Sequence, residues 1–292
     1  MPENLYQIQW FPGHMAKTRR LIKESLPLVD AVMQLLDARI PRSSQNPEIQ
    51  SIIENKPNIV LLNKSDVPDP QSTRAWIEHF AKCGIKAIPV DCKKGVGIDK
   101  IIPAARELLS DKIKLWQQKG MGNRPIRLMV VGIPNVGKST FINRIARANK
   151  AKTADRPGVT RGNQWFSLGK GGEVLDTPGV LWPKFDDEQA GKNLAYTGAI
   201  KDAIIDIEGL AAQLLGELKD GGKTGFVERY KLNALKNFNP DDKQGYDLLE
   251  LIARKRGMLI SGGELDTERA AVMVLDEFRA GLLGRITLEM PD

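Results

Sequence analysis

At 292 residues the chain exceeds the usual size of one domain, and its hydrophobic fraction of 41% suffices for two buried cores, yet no stretch approaches the ~20 apolar residues that cross a bilayer. Cys83 and Cys92, the only cysteines, lack metal-ligand spacing, and the opening residues carry neither a signal-peptide core nor a transit-peptide bias, so a reduced, cytoplasmic protein is expected. The net charge of +7 is uneven: residues 200–292 hold 13 basic and 17 acidic residues against 30 and 19 in the remainder, a basic balance that suits a polyanion such as RNA or simply a solubilising surface.

Residues 1–27 form a basic opening that includes Trp10, Phe11, His14, Lys17, Arg19 and Arg20. The apolar run from Leu28 to Leu36 reads as a buried strand, and Pro41 and Pro47 punctuate a loop after it. Asn58 to Leu62 is a second strand, Thr73 to Cys83 a helix stopped at Gly84, and Lys86 to Val90 a third strand. Ile98 to Gln118 reads as one long helix with Pro103 near its first turn, and residues 119–125 as a flexible basic connection. Ile126 to Val131 is a strand, followed by a Gly-rich turn and a helix to about Ala148. After a loop over 150–163, Gln164 to Leu168 and Glu173 to Leu175 read as a strand pair. Strands alternating with helices imply a mostly parallel sheet covered on both faces. Past about Pro183 the strand signal stops and 188–285 shows helical periodicity. The expected architecture is an α/β domain over 1–184 and a smaller all-helical domain over 185–292.

Gly132-Ile-Pro-Asn135-Val136-Gly137-Lys138-Ser139 matches G-x-x-x-x-G-K-[ST] and stands between a strand and the helix that Thr140 enters. Glycines let backbone N–H groups curl around phosphate, the lysine reaches the β- and γ-phosphates, and the serine hydroxyl ligates Mg²⁺. Asp176-Thr-Pro-Gly179 fits D-x-x-G, with Asp176 placed to hold Mg²⁺ through water and the Gly179 N–H to sense a γ-phosphate. Asn63-Lys64-Ser65-Asp66 fits N-K-x-D. A carboxylate at Asp66 can accept from both N1–H and the exocyclic amine of guanine, a donor pair adenine lacks, while Lys64 lies along the base. Asp91-Cys92-Lys93 stands where GTPases carry Ser-Ala-Lys, which predicts that the Cys92 N–H is free to meet the guanine oxygen. These motifs together predict a P-loop GTPase, and in isolation the two short ones are also ordinary turn chemistry.

The guanine motif precedes the phosphate motif, the reverse of the usual order. With Gln9-Trp-Phe-Pro-Gly-His-Met15-Ala-Lys17, Asp37-Ala-Arg39-Ile-Pro41 and Pro157-Gly-Val-Thr160, this order resembles the circularly permuted ribosome-assembly GTPases over nearly the whole chain. The resemblance implies a circularly permuted GTPase domain whose activity serves late assembly of the large ribosomal subunit and is stimulated by it. The implied partners are GTP or GDP and the large subunit with its rRNA, with no role for DNA or a membrane. Because the D-x-x-G segment ends the permuted domain, a shift at Gly179 reaches residues 185–292 by a short covalent path.

Many GTPases orient the attacking water with a Gln just after D-x-x-G, but Val180 stands there. The resemblance assigns that task to His14, a near-neutral titrating group; the alternative is that His14 fixes the N-terminal turn or contacts RNA. It also implies that Asn135 supports a K⁺ ion bridging the phosphates, although Asn135 also suits a tight turn. Thr160 is the preferred switch threonine that caps Mg²⁺, with Thr153 as competitor. Arg254-Lys255-Arg256 and Lys17, Arg19 and Arg20 are candidate phosphate contacts or solvated helix faces. A GTP-dependent RNA-modifying or metabolic enzyme is the alternative function, but 185–292 contains no His or Cys for a second catalytic group, and Asp241-Asp242 after Asn239-Pro240 suits a turn.

Overall fold

The structure, a computed structural model, describes residues 12–150, 164–169, 171–179, 187–235 and 238–291, the side chains of residues 12–15, 149, 150 and 204 excepted. The described residues form two compact units. One holds those up to Asp66, Pro70 to Gly179 and Glu289 to Pro291; the other holds Val67–Asp69 and residues 187–288.

The first unit is built on a six-stranded sheet of β1 (Ala31–Asp37), β2 (Asn58–Asn63), β3 (Lys86–Pro89), β4 (Ile126–Val131), β5 (Trp165–Gly169) and β6 (Gly172–Asp176), in the order β3-β2-β1-β4-β6-β5. The pairs are parallel except β5–β6, whose residues Ser167/Gly169 carry an irregularity at the hairpin. All seven residues of β1 are buried, which is what a central parallel strand covered on both faces requires. The surrounding helices are α1 (Pro12–Ser25), α2 (Pro47–Ile53), α3 (Pro70–Lys82), α4 (Ile101–Leu108), α5 (Ser110–Gln118) and α6 (Lys138–Lys150). On one side Ile22 of α1 and Ile49 and Ile53 of α2 pack with Val32, Met129 and Leu175; in a second cluster Trp76 and Phe80 of α3 pack with Leu36, Val60 and Leu62.

Three elements differ from the sequence reading. The basic opening contains helix α1, whose Arg19 reaches Glu48 of α2 at 2.9 Å. The proline-punctuated loop contains α2, started by an Asn46 side chain that accepts from Glu48 N and Ile49 N with Pro47 in the first turn. The expected long helix over 98–118 is a 3₁₀ turn at Ile98–Lys100 followed by α4 and α5, which kink at Leu109 (φ −103, ψ 18). Leu109 and Trp116 are both buried.

The second unit is helical: α7 (Glu188–Tyr196), α8 (Ile207–Asp220), α9 (Gly225–Arg229), α10 (Gly245–Lys255) and α11 (Thr267–Arg279). Helix α8 buries Leu210, Leu214, Leu215 and Leu218 against Leu248, Leu249 and Ile252 of α10 and Val274, Leu275 and Phe278 of α11. Asp206 and Asp266 cap α8 and α11 through Gly209 N and Arg269 N, each bond 3.0 Å, contributions of about 1 kcal/mol each. Arg279 closes α7, donating to the Ala195 and Tyr196 carbonyls at 3.1 Å while paired with Asp202. Asn239 accepts from Asp241 N, so the Asp241-Asp242 pair serves a 3₁₀ turn. Of the Arg254-Lys255-Arg256 cluster, Arg256 lies 5.3 Å over the Tyr230 ring, and the other two are exposed in the last turn of α10.

Candidate functional site

The sequence motifs gather at the carboxyl ends of the parallel strands, where open α/β sheets bind ligands. Asp37 ends β1, Asn63 ends β2, Asp91 follows β3, Gly132 follows β4 and Asp176 ends β6.

The turn from Gly132 to Gly137 runs into α6 at Lys138, so the helix's first N–H groups face the space before it. Two glycines are required by close approaches. A Cβ at Gly132 would stand 2.6 Å from the Leu35 carbonyl oxygen, and one at Gly137 (φ +108) would stand 2.3 Å from Asn63 Nδ2. Asn135 occupies the left-handed region (φ 56), a conformation asparagine tolerates better than most side chains. Asn135, Lys138, Ser139, Asp176 and Gly179, with Leu21 and Gln164, line one cleft of about 700 Å³. Val136 is buried and Thr140 exposed beside it.

Lys138 is 7% exposed, and its ammonium donates to the carbonyls of Gly132 and Ile133, each at 3.0 Å. Burial pulls its pKa down to about 8 against the opposing attraction of Asp176. Burial raises the Asp176 carboxyl, against Lys138 and the Thr177 N–H. Both groups are poised for a ligand that supplies compensating charge. The hydroxyl of Ser139 and the carboxylate of Asp176 are oxygen donors in one cleft, a set that fits Mg²⁺. Thr177, a residue the motif leaves open, fastens the D-x-x-G turn by donating its hydroxyl to the Val130 carbonyl at 2.6 Å.

Asn63 joins the guanine motif to the phosphate loop. Its Nδ2 donates to the Val136 carbonyl at 2.7 Å, and its Oδ1 accepts from the Cys92 N–H at 3.0 Å. The sequence reading left the Cys92 N–H free for a base oxygen; here it donates to Asn63, because the end of β2 turns the carboxamide towards the loop after β3. The Lys93 and Lys94 N–H groups both donate to Asp91 Oδ1 at 2.9 Å, which builds that loop. The Cys92 thiol is pushed up to about 12, by burial first and then by Asp91, so it stays protonated.

Lys64 adopts a left-handed φ of 61 and its ammonium reaches Asp37 Oδ2 at 2.8 Å. The same carboxylate takes Arg39 through Nη2 at 2.7 Å and Nε at 2.9 Å, and Arg39 is fully buried. Burial alone would raise the Asp37 carboxyl, but Arg39 and then Lys64 hold it well below the ordinary range. Sequence reasoning met Asp37 and Arg39 as part of a resemblance and assigned them no task; a charged pair two residues apart at a strand end carries no local signal. Asp66 accepts from Lys94 Nζ at 2.6 Å on the surface. His79 packs edge-on to Trp76 with ring centroids 5.4 Å apart, a packing residue in α3.

His14 lies in the first turn of α1, where its side chain is outside the described residues, as are Thr153, Thr160 and Val180 altogether.

A family described as 50S ribosome-binding GTPase matches residues 127–221, from the strand before the phosphate loop onward. Ribosome biogenesis GTPase A of Bacillus licheniformis is 47% identical over 98% of this chain and 99% of its own, and that of Thermotoga maritima is 32% identical over 98% and 95%. The GNP-bound crystal structure of YlqF from T. maritima matches at a TM-score of 0.64 with 30% identity, covering 94% of this chain and 99% of that one; its GDP-bound structure gives 0.65. With this identity along nearly the whole length of both chains, and with its guanine motif ahead of its phosphate loop on one sheet, the chain belongs to the ribosome biogenesis GTPase A family, the circularly permuted P-loop GTPases.

Proposed function

We propose that the chain binds GTP across the Asn63 strut and hydrolyses it as a switch during late assembly of the large ribosomal subunit. The observation that carries this reading is that Asn63 ties the Asp66 motif to a cleft lined by Lys138, Ser139, Asp176 and Gly179. Asp66 exchanges its exposed Lys94 partner for guanine N1–H and the exocyclic amine. Lys64 lies beside the base, held by Asp37. The backbone from Asn135 to Thr140 receives the phosphates, with Lys138 leaving the Gly132 and Ile133 carbonyls for the β- and γ-oxygens. Ser139, Asp176 and Thr160 hold Mg²⁺, which when bound neutralises charge on the phosphates. Asn135 supports K⁺, His14 orients the attacking water, and Gly179 carries the γ-phosphate signal. The helical residues 185–292 contact the pre-subunit and its rRNA, with Arg254 and Lys255 as phosphate contacts, and hydrolysis releases the protein into the cytoplasm.

The mammalian relative from Mus musculus, named mitochondrial ribosome-associated GTPase 1, is 32% identical over 96% of this chain, and its name supports a ribosomal partner. The test is GTP turnover with and without large subunits, in K⁺ and in Na⁺. Turnover is expected to rise with subunits and with K⁺. Equal rates in both salts remove the Asn135 ion, equal rates with and without subunits remove stimulation, and unchanged stimulated turnover in His14→Ala removes the water-orienting task.

A further inference from the structure

Glu289, near the end of the chain, is bonded into the GTPase unit. Its carboxylate accepts from the backbone N–H of Arg42 at 2.7 Å, from the N–H of Ser43 at 3.0 Å and from the Ser43 hydroxyl. Its carbonyl oxygen accepts from Trp76 Nε1 at 3.0 Å, and Trp76 is 1% exposed. Two successive N–H groups aimed at one carboxylate form an anion nest, and Ser43 is buried, so the bonds at its end of the nest are partly shielded from water.

The turn that Glu289 caps continues towards the guanine motif. Ser44 is fixed by its N–H to the Ile40 carbonyl at 2.9 Å, and its hydroxyl accepts from the Asp37 N–H at 3.1 Å. Asp37 in turn grips Lys64 within the guanine motif. Hydrogen bonds and single peptide links therefore run from Glu289 through Ser43, Ser44 and Asp37 to Lys64. Its three middle members, Ser43, Ser44 and Asp37, are buried, which leaves that stretch of the path few other arrangements.

We propose that Glu289 is a positioning residue for guanine recognition, acting on Lys64 through the turn over residues 42–44 and Asp37. The inference rests on the base-reading task proposed for Lys64 and Asp66. It predicts a specific kinetic signature. Lys64 contacts the base in substrate and transition state alike, so loosening it weakens GDP and GTP equally and leaves the chemical step alone.

The experiment uses the full chain and fluorescent GDP and GTP analogues. Glu289→Ala is expected to raise Kd for both by roughly tenfold, within the usual range of coupling between sites, with kcat at saturating GTP within about twofold of the original. Glu289→Gln, which keeps one acceptor for the Ser43 N–H, recovers part of the loss. In a Lys64→Ala background the same substitution adds less than about twofold. Ser44→Ala cuts the path without touching Glu289 and must weaken GDP as well; it carries the test should Glu289→Ala unfold at the assay temperature. Unchanged GDP affinity in Glu289→Ala or in Ser44→Ala overturns the proposal, as does a full tenfold effect persisting without Lys64. An original chain that takes up ATP as readily as GTP would instead unseat the reading of Asp66.

Discussion

The side-chain amide of Asn63 donates to the Val136 carbonyl at 2.7 Å while its oxygen holds the Cys92 N–H. Three loops that are distant in sequence thereby share one residue. Asn63→Ala leaves a buried acceptor and a buried donor without their partner, a loss of about 1–3 kcal/mol. We expect GDP affinity to fall on the order of 10- to 100-fold, with thermal stability of the nucleotide-free protein lowered by a few degrees. Titration with fluorescent GDP and a melting curve check both.

Asp66→Asn replaces an acceptor pair with one acceptor and one donor. Guanine then meets a donor opposite its own amine, while xanthine presents a carbonyl there. GTP binding should weaken by at least about 100-fold and XTP binding should improve. The exposed Lys94 partner contributes little, so stability should change by less than about 0.5 kcal/mol. Competition of GTP and XTP for the purified variant is the measurement.

Lys138 gives a pH dependence with a definite sign. Its proton leaves at about pH 8 in the folded chain, against 10.5 for the ordinary side chain. Between those values the unfolded chain holds more protons, so stability of the nucleotide-free protein rises with pH across that window. Below about pH 8 the cost of the buried ammonium is present in full. Phosphates raise the pKa again, so GDP binding at pH 9 should take up protons. Calorimetry in two buffers of different ionisation enthalpy measures this uptake, and Lys138→Ala should abolish it.

Gly245 sits where α10 meets α8. A Cβ there would stand 1.9 Å from the Ala212 carbonyl oxygen, a backbone atom that cannot swing aside. Gly245→Ala should cost about 2–4 kcal/mol in the helical unit. Hydrogen exchange should show lost protection in α8 and α10 while β1, β2 and β4 keep theirs.

The parts of the site that were legible in sequence are those where chemistry restricts residue type. Gly132 and Gly137 are glycines because backbone or Asn63 occupies the space of a side chain, so the phosphate loop announces itself. Strand β4 matches its apolar run at both ends because a strand buried on two faces needs no alternation. The helix break at Leu109 was illegible, since no glycine or proline marks it. Helix α2 left a readable trace in Asn46-Pro47, a cap and a first-turn proline, but seven residues are too few for periodicity. The partner of Cys92 N–H depends on where the Asn63 carboxamide turns, which is tertiary. The bond between Ser43 and Glu289 spans 246 positions and has no local counterpart at all.

The strand order has a consequence for how the protein could be divided. In β3-β2-β1-β4-β6-β5, every strand before residue 119 lies on one side of the β1–β4 seam and every later one on the other. A cut in the 119–125 connection would yield two fragments, each with three adjacent strands and neither with a complete ligand site. Guanine nucleotide bound as proposed, against both, should then favour their reassociation by mass action, making the split chain a reporter whose halves meet more tightly when GTP or GDP is at hand.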